Sequence, residues 1–243
     1  MSITYLRLEI LRLLRNRRVV VFTMITPAVL LLIFGGINKS QTIDGVSGAS
    51  YVMVGMALFG AMSAAISTGG TIAVERGLGW NRQLRLTPLR PGGYALGKLL
   101  LSLLVALPPL IAAYLVGVLA LGVRLSAGVW AQVLAGSWLS ALPFAALGLV
   151  IGYIAKPESV QPISGLIYML LAAFGGLWVP VEIMPHLMRT IATYTPAYWA
   201  GQVARGPLFH GELSLRAIGV LLVWAVGLAV IGLRLFRADT ARA

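Results

Sequence analysis

Cysteine is absent from the 243 residues, which excludes disulfides, thiol catalysis and cysteine-held metal. Histidine is almost absent: His186 and His210 are the only two, and no HExxH motif or other His-rich cluster offers a metal site. Acidic residues number 7 against 19 Lys and Arg, so any bond-making chemistry would rest on a handful of carboxylates. Charge of either sign is scarce, at 11% of residues where a soluble domain carries about 25%. That deficit excludes an ordinary soluble domain. With 59% hydrophobic residues and a mean hydropathy of +0.91, the composition is that of an integral membrane protein. The net charge of +12 raises nucleic acid as a partner. The basic residues sit at the ends of apolar runs, however, which is a topology pattern rather than a binding stripe, so no nucleic-acid partner is expected.

Six apolar runs suit membrane spans: Val19–Ile37, Tyr51–Val74, Ala95–Val123, Val129–Ile154, Ile163–Val179 and Leu215–Leu235. Lys and Arg orient them. Fourteen of the 19 fall on one side and five on the other, the five being Lys39, Arg124, Arg189, Arg205 and Arg216. The richer side is the cytoplasmic one, so both termini are expected inside. Residues 1–18 form a basic amphipathic segment. At helical spacing Ile3, Leu6, Ile10, Leu13 and Leu14 share one arc, and Arg12, Arg15, Tyr5, Asn16 and Glu9 lie opposite. This fits a helix lying in the cytoplasmic interface with its basic face on anionic headgroups. A signal peptide cleaved near Ser47–Ala49 is the alternative. The apolar stretch Val19–Ile37 is longer than a typical signal core, which favours an uncleaved first span.

Breakers and small residues punctuate the spans. Pro27, the pair Pro108-Pro109, and Pro143 each remove a helix hydrogen bond and predict kinks. Gly60, Ala64 and Thr68 recur in the second span, and Ala141, Ala145, Gly148 and Gly152 in the fourth, which suits tight helix packing. A hydroxyl-bearing face at Ser63, Ser67 and Thr71 fits either packing or a pathway for cargo. Residues 180–213 are too apolar for a solvated loop and too broken to span. Pro180, Pro185 and Pro196 divide them, and two short helices hinged at Pro196 are expected. Trp178, Tyr194, Tyr198 and Trp199 suit the headgroup layer.

The longest polar interruption is Glu75–Lys98, ERGLGWNRQLRLTPLRPGGYALGK. A basic cytoplasmic loop is the plain reading. Between Gly79 and the turn at Thr87-Pro88 there is also room for about two helical turns. Trp80 and Leu84 would share one side, with Asn81, Arg82 and Arg85 opposite, as suits a short helix facing a partner. Glu75 and Arg76 sit where the second span meets the interface, and a charge pair there can stay hydrated at little cost. Gly92, Gly97 and Lys98 match the start of a P-loop. The next residue is Leu99 rather than Ser or Thr, and no strand precedes, which argues against nucleotide binding by this chain.

Glu75-Arg76, Gly79, Leu84-Arg85, Thr87-Pro88 and Gly97-Lys98 resemble the E-R-x-x-G…L-(R)-x-T-P…G-K signature of ABC type-2 transporter permeases. The resemblance extends over nearly the whole chain, which is similar to small bacterial permeases of the daunorubicin-resistance type. It implies an all-α membrane protein with six transmembrane helices, forming a single domain over residues 1–243. An N-terminal interfacial helix (1–18), a cytoplasmic coupling loop with its helix (75–94) and extracellular re-entrant helices (180–213) between the fifth and sixth spans complete it. It further implies a dimer of permeases, identical or not, in the bacterial plasma membrane. Separate ABC ATPase subunits would dock on Glu75, Arg76, Gly79, Trp80, Arg82, Leu84, Arg85, Thr87 and Pro88. ATP and magnesium would reside on those subunits, leaving this chain without a cofactor, and an amphipathic or lipid-like substrate would leave by alternating access.

Two other classes compete. A stand-alone secondary transporter or channel normally keeps an ionisable group deep in the membrane, and the spans show charge only near their predicted ends. Nor do they show an inverted repeat. An intramembrane enzyme would have to use Glu75, Glu158, Glu182 or Glu212, which fall on opposite sides. An ABC importer would carry an E-A-A…G loop, which is missing here.

Overall fold

The structure, a computed structural model, describes residues 17–43, 45–79, 91–209 and 214–242. The segment 1–16, most of the expected interfacial helix, lies outside them, as does 80–90. The first helix, α1, spans Arg17–Ile37. A hairpin follows, in which β1 (Thr42–Ile43) pairs antiparallel with β2 (Val46–Ser47). Gly45, at φ +81°, makes the turn that a residue with a Cβ adopts only under strain. This short hairpin is absent from an all-helical reading, although Asp44-Gly45 is a recognised hairpin dipeptide.

Then come α2 (Gly48–Gly77) and α3 (Pro91–Leu119). Helix α2 extends three residues past the apolar run at each end, and α3 starts four residues before its run and ends four residues short of it. Proline at the head of α3 suits the first helical position, where its missing N–H would be unsatisfied anyway. The expected fourth span is interrupted. Helix α4 (Ala127–Leu139) ends in a turn at Ser140 and Ala141, and α5 (Leu142–Ile154) begins there with Pro143 in its first turn. Pro143 has no N–H to continue the ladder from α4, so the helix breaks rather than bends.

Helix α6 (Val160–Phe174) stops short of the expected Val179. Gly175 ends it and Gly176 turns the chain at φ +75°. A 3-10 turn at Val181–Ile183, then α7 (His186–Thr193) and α8 (Pro196–Phe209), build the insert. The last helix, α9, runs Leu215–Arg242.

Four stretches among the described residues are long and apolar enough to cross a membrane: Gly48–Gly77, Gly93–Leu119, Ala127–Ile154 and Leu215–Asp239. Val160–Phe174 is a shorter apolar helix. At 1.5 Å per residue α6 reaches about 22 Å, less than the roughly 30 Å hydrocarbon layer.

Helix α2 is the hub. Its membrane-length window is wholly buried, packed by α1, α3, α5, α6 and α8, whereas only 17% of the corresponding window of α9 is buried. Small residues allow this enclosure. A Cβ on Gly69 would lie 2.5 Å from the carbonyl carbon of Gly148, and one on Gly148 would lie 2.6 Å from the carbonyl oxygen of Ile66. The backbones of α2 and α5 therefore touch directly, as small-residue interfaces in membranes do. Gly60 of α2 faces Pro27 of α1 and Pro109 of α3, so the prolines of both neighbours converge on one glycine.

Candidate functional site

The last turns of α2 carry the acid-base pair of the sequence motif, and the structure separates the two. Neighbouring residues on a helix point about 100° apart. Glu75 turns inward and Arg76 turns the other way.

Glu75 is 6% exposed and Lys98 is 0% exposed. Lys98 Nζ donates to Glu75 Oε1 at 2.5 Å, and the Tyr94 hydroxyl donates to Oε2 at 2.5 Å. Tyr94 and Lys98 stand four residues apart on α3, which puts both on one face toward α2. Thr71, one turn before Glu75, offers its hydroxyl oxygen to the same ammonium at 3.5 Å. Both carboxylate oxygens are thus engaged, the condition under which a buried ion pair is tolerated.

Arg76 reaches α5 and α9. Its Nε donates to Asp239 Oδ2 at 3.1 Å and its Nη2 to Oδ1 at 2.6 Å, a two-pronged carboxylate grip. Its Nη1 donates to the carbonyl oxygens of Tyr153 at 2.7 Å and Gly152 at 3.3 Å. These are terminal carbonyls of α5, which lack helical partners and favour a cation. The guanidinium also lies 5.8 Å from the Tyr153 ring centroid. Beneath this polar layer, Ile72, Tyr94, Leu149, Tyr153 and Phe236 form their own apolar cluster. One pair of residues therefore joins the ends of four helices: α2, α3, α5 and α9.

This geometry corrects one expectation and bears on two others. Glu75 and Arg76 are not a hydrated pair with each other: each has a separate partner, and Glu75 is enclosed. Charge lies near the helix ends as expected, but the Glu75–Lys98 pair there is buried, which sequence distance hid, since the two residues flank a long polar stretch. The P-loop resemblance also fails structurally. Gly92, Gly97 and Lys98 lie in helix α3 rather than in a loop, and the Lys98 side chain is spent on Glu75.

Of the other motif residues, Gly79 follows the end of α2 at φ +73°, and its N–H closes a turn onto the Arg76 carbonyl at 3.0 Å. Trp80, Arg82, Leu84, Arg85, Thr87 and Pro88 lie outside the described residues. On the hydroxyl face, Ser63 is buried and donates to the Gly60 carbonyl at 2.9 Å, while Thr71 donates to that of Thr68 at 2.7 Å. Ser67 is half-buried.

A second polar centre lies at the other end of α2. Arg205 of α8, counted in the sequence as an outer-loop cation, is 7% exposed. Its Nη1 donates to the Tyr51 hydroxyl at 2.8 Å and its Nη2 to the Leu177 carbonyl at 3.2 Å, with the guanidinium 3.9 Å from the Tyr51 ring centroid. Tyr51 and Glu75 are separated along α2 by roughly 36 Å at helical rise, more than the thickness of the hydrocarbon layer. The insert is fastened around this centre. Pro180 precedes the 3-10 turn, Pro185 precedes α7 and Pro196 opens α8. Trp199 donates its indole N–H to the Thr193 carbonyl at 2.8 Å, and Arg216 stands 5.5 Å from its ring. An apolar cleft of about 290 Å³ opens beside it, lined by Ala173, Trp178, Val179, Ile183, Met184, Pro185 and Met188.

Membrane-length helices, a hub helix with a charged network at one end, and a helical insert at the other define a multi-pass membrane protein with a built junction at the root of one loop. The family of ABC-2 type transporters matches residues 3–209, and the chain belongs to that family. It is similar to "Putative transport permease YvfS" of Bacillus subtilis (strain 168), at 31% identity over 219 residues that cover 89% of each chain. It is accordingly a membrane permease of the ABC transporter class.

Proposed function

We propose that this chain is the membrane subunit of an ATP-driven exporter, moving an amphipathic or lipid-like substrate out of the cell. ATP is hydrolysed on separate ATPase subunits, and two permease copies form the working unit in a bacterial plasma membrane. Six spans, an interfacial N-terminal helix and cytoplasmic termini complete this reading, supported by the 14-to-5 division of Lys and Arg. The observation that carries it is the junction at Glu75 and Arg76. It ties four helices together in the last turn of α2, just before residues 78–90, so a force applied there reaches most of the bundle. Among the described residues no His, Cys, Asp or Glu cluster could hold a metal ion.

The buried Glu75–Lys98 pair lies at the end of α2 rather than deep in the membrane, where an ion-coupled transporter keeps its ionisable groups. Here the acid is neutralised by a lysine and a tyrosine hydroxyl, which suits a fixed staple better than a proton relay.

The test is co-purification with an ABC ATPase encoded beside the permease. Leu84→Asp with Arg85→Glu is expected to abolish ATPase recovery and ATP-dependent efflux while membrane insertion stays normal. Full ATPase recovery and normal efflux in that variant would rule the docking role out.

A further inference from the structure

Asp239 of α9 lies outside the sequence motif, yet it holds the motif's arginine. Its two oxygens take Nε and Nη2 of Arg76, while Nη1 is occupied by the end of α5. Both partners are largely shielded, with side chains 27% and 22% exposed. Three residues earlier on the same helix, Phe236 is buried between Tyr94 of α3 and Tyr153 of α5, with ring centroids 6.3 Å and 5.8 Å away. The last turns of α9 are thus wedged into the junction by an aromatic ring and latched by a carboxylate. Before that point α9 buries only a narrow stripe, Ala217, Leu221 and Ala225, while Leu222, Val223, Val226, Val230 and Ile231 face outward. Along its length α9 packs mainly on α5, and its direct polar tie to the cytoplasmic end of α2 is the Asp239–Arg76 contact.

We propose that Asp239 is a positioning residue that makes α9 move with the cytoplasmic end of α2. A displacement received at the end of α2 then passes to α9 and α5 as well as to α3. The inference rests on the proposed exporter function for the source of the displacement, but the latch itself does not.

The natural absence of cysteine supplies the experiment. Leu78→Cys, at the exposed end of α2, and Arg234→Cys, on the exposed side of α9, are introduced together and spin-labelled before the ATPase is added. Co-expression with excess unaltered chain leaves one labelled copy per assembly. The distance between labels is measured in reconstituted vesicles, with and without ATP plus vanadate. With Asp239 intact, a narrow distribution unchanged by nucleotide is expected. Asp239→Asn, which keeps the shape and removes the charge, should broaden it and add a nucleotide-dependent shift of about 2 Å or more, the scale on which packed helices slip. Arg76→Gln should do the same, and Asp239→Glu should restore the narrow distribution. A distance that shifts with nucleotide in the intact chain overturns the proposal, as does an Asp239→Asn distribution that stays narrow and fixed. Failure of every variant to bind an ATPase would overturn the exporter reading instead. The nucleotide-free distributions would still decide the latch.

Discussion

Removing the charge of Lys98 is the sharpest probe of the junction. The ammonium is fully buried and lies 2.5 Å from Glu75 Oε1. At that separation and an effective dielectric constant of about 20, the attraction is roughly 7 kcal/mol. Stripping water from the two ions costs several kcal/mol each, so the intact pair contributes little net stability. Deleting one partner forfeits the attraction and leaves the other ion's desolvation standing, a loss of about 3–5 kcal/mol. Lys98→Met, which keeps the apolar stem, and Glu75→Gln, which keeps the bond to Tyr94, are each expected to lose that much. The double variant is expected to recover at least about 2 kcal/mol of the summed loss, because neither charge is then stranded. Equilibrium unfolding of the purified protein by SDS titration in mild detergent would measure all three. Single losses below about 1 kcal/mol, or strictly additive ones, would refute the reasoning, since that is how a hydrated surface pair behaves.

Gly148→Leu should destabilise the fold by about 1–3 kcal/mol or prevent its assembly, because a Cβ there already lies 2.6 Å from the Ile66 carbonyl oxygen. Gly227→Ala, where a Cβ meets nothing within 4 Å, should be tolerated, and the two compared by thermal stability in detergent form a matched pair. Arg205→Leu is expected to cost about 1–3 kcal/mol by stranding the Leu177 carbonyl, and Arg205→Lys should recover only part of that, since one ammonium cannot span both partners as the fork does. A reporter fused after Arg242 should be cytoplasmic and one inserted near Asp44 or His210 should be outside. A periplasmic carboxyl terminus would sink the six-span topology.

Hydropathy and turn chemistry made much of this fold legible. Long apolar runs located the membrane-length helices, and Pro196 marked where the insert changes direction. Glycines in α5 marked a close approach whose partner, Gly69, only the structure identified. What stayed hidden depended on contacts distant in sequence. Nothing local distinguishes Lys98, at the end of a basic stretch, from a hydrated loop lysine, because its acid lies on another helix. Arg76 and Asp239 stand 163 positions apart, and Asp239 reads as one more polar residue in a charged tail. Arg205 was similarly disguised among outer cations. The break between α4 and α5 was half visible: Pro143 announced a disturbance, but kink and break differ by whether the neighbouring carbonyls find other partners.

The enclosure of α2 also sets a problem of timing. This helix is made early, yet α5, α6 and α8, which cover much of it, emerge later from the ribosome. The start of α8 follows the end of α2 by more than 100 residues, and at about 5–20 residues per second its covering is delayed by on the order of ten seconds. During that interval the bare glycine surface at Gly69 and the hydroxyl of Tyr51 face lipid or a chaperone rather than their eventual partners. The helix that organises the finished molecule is therefore the one most exposed to wrong pairing while the molecule is being made.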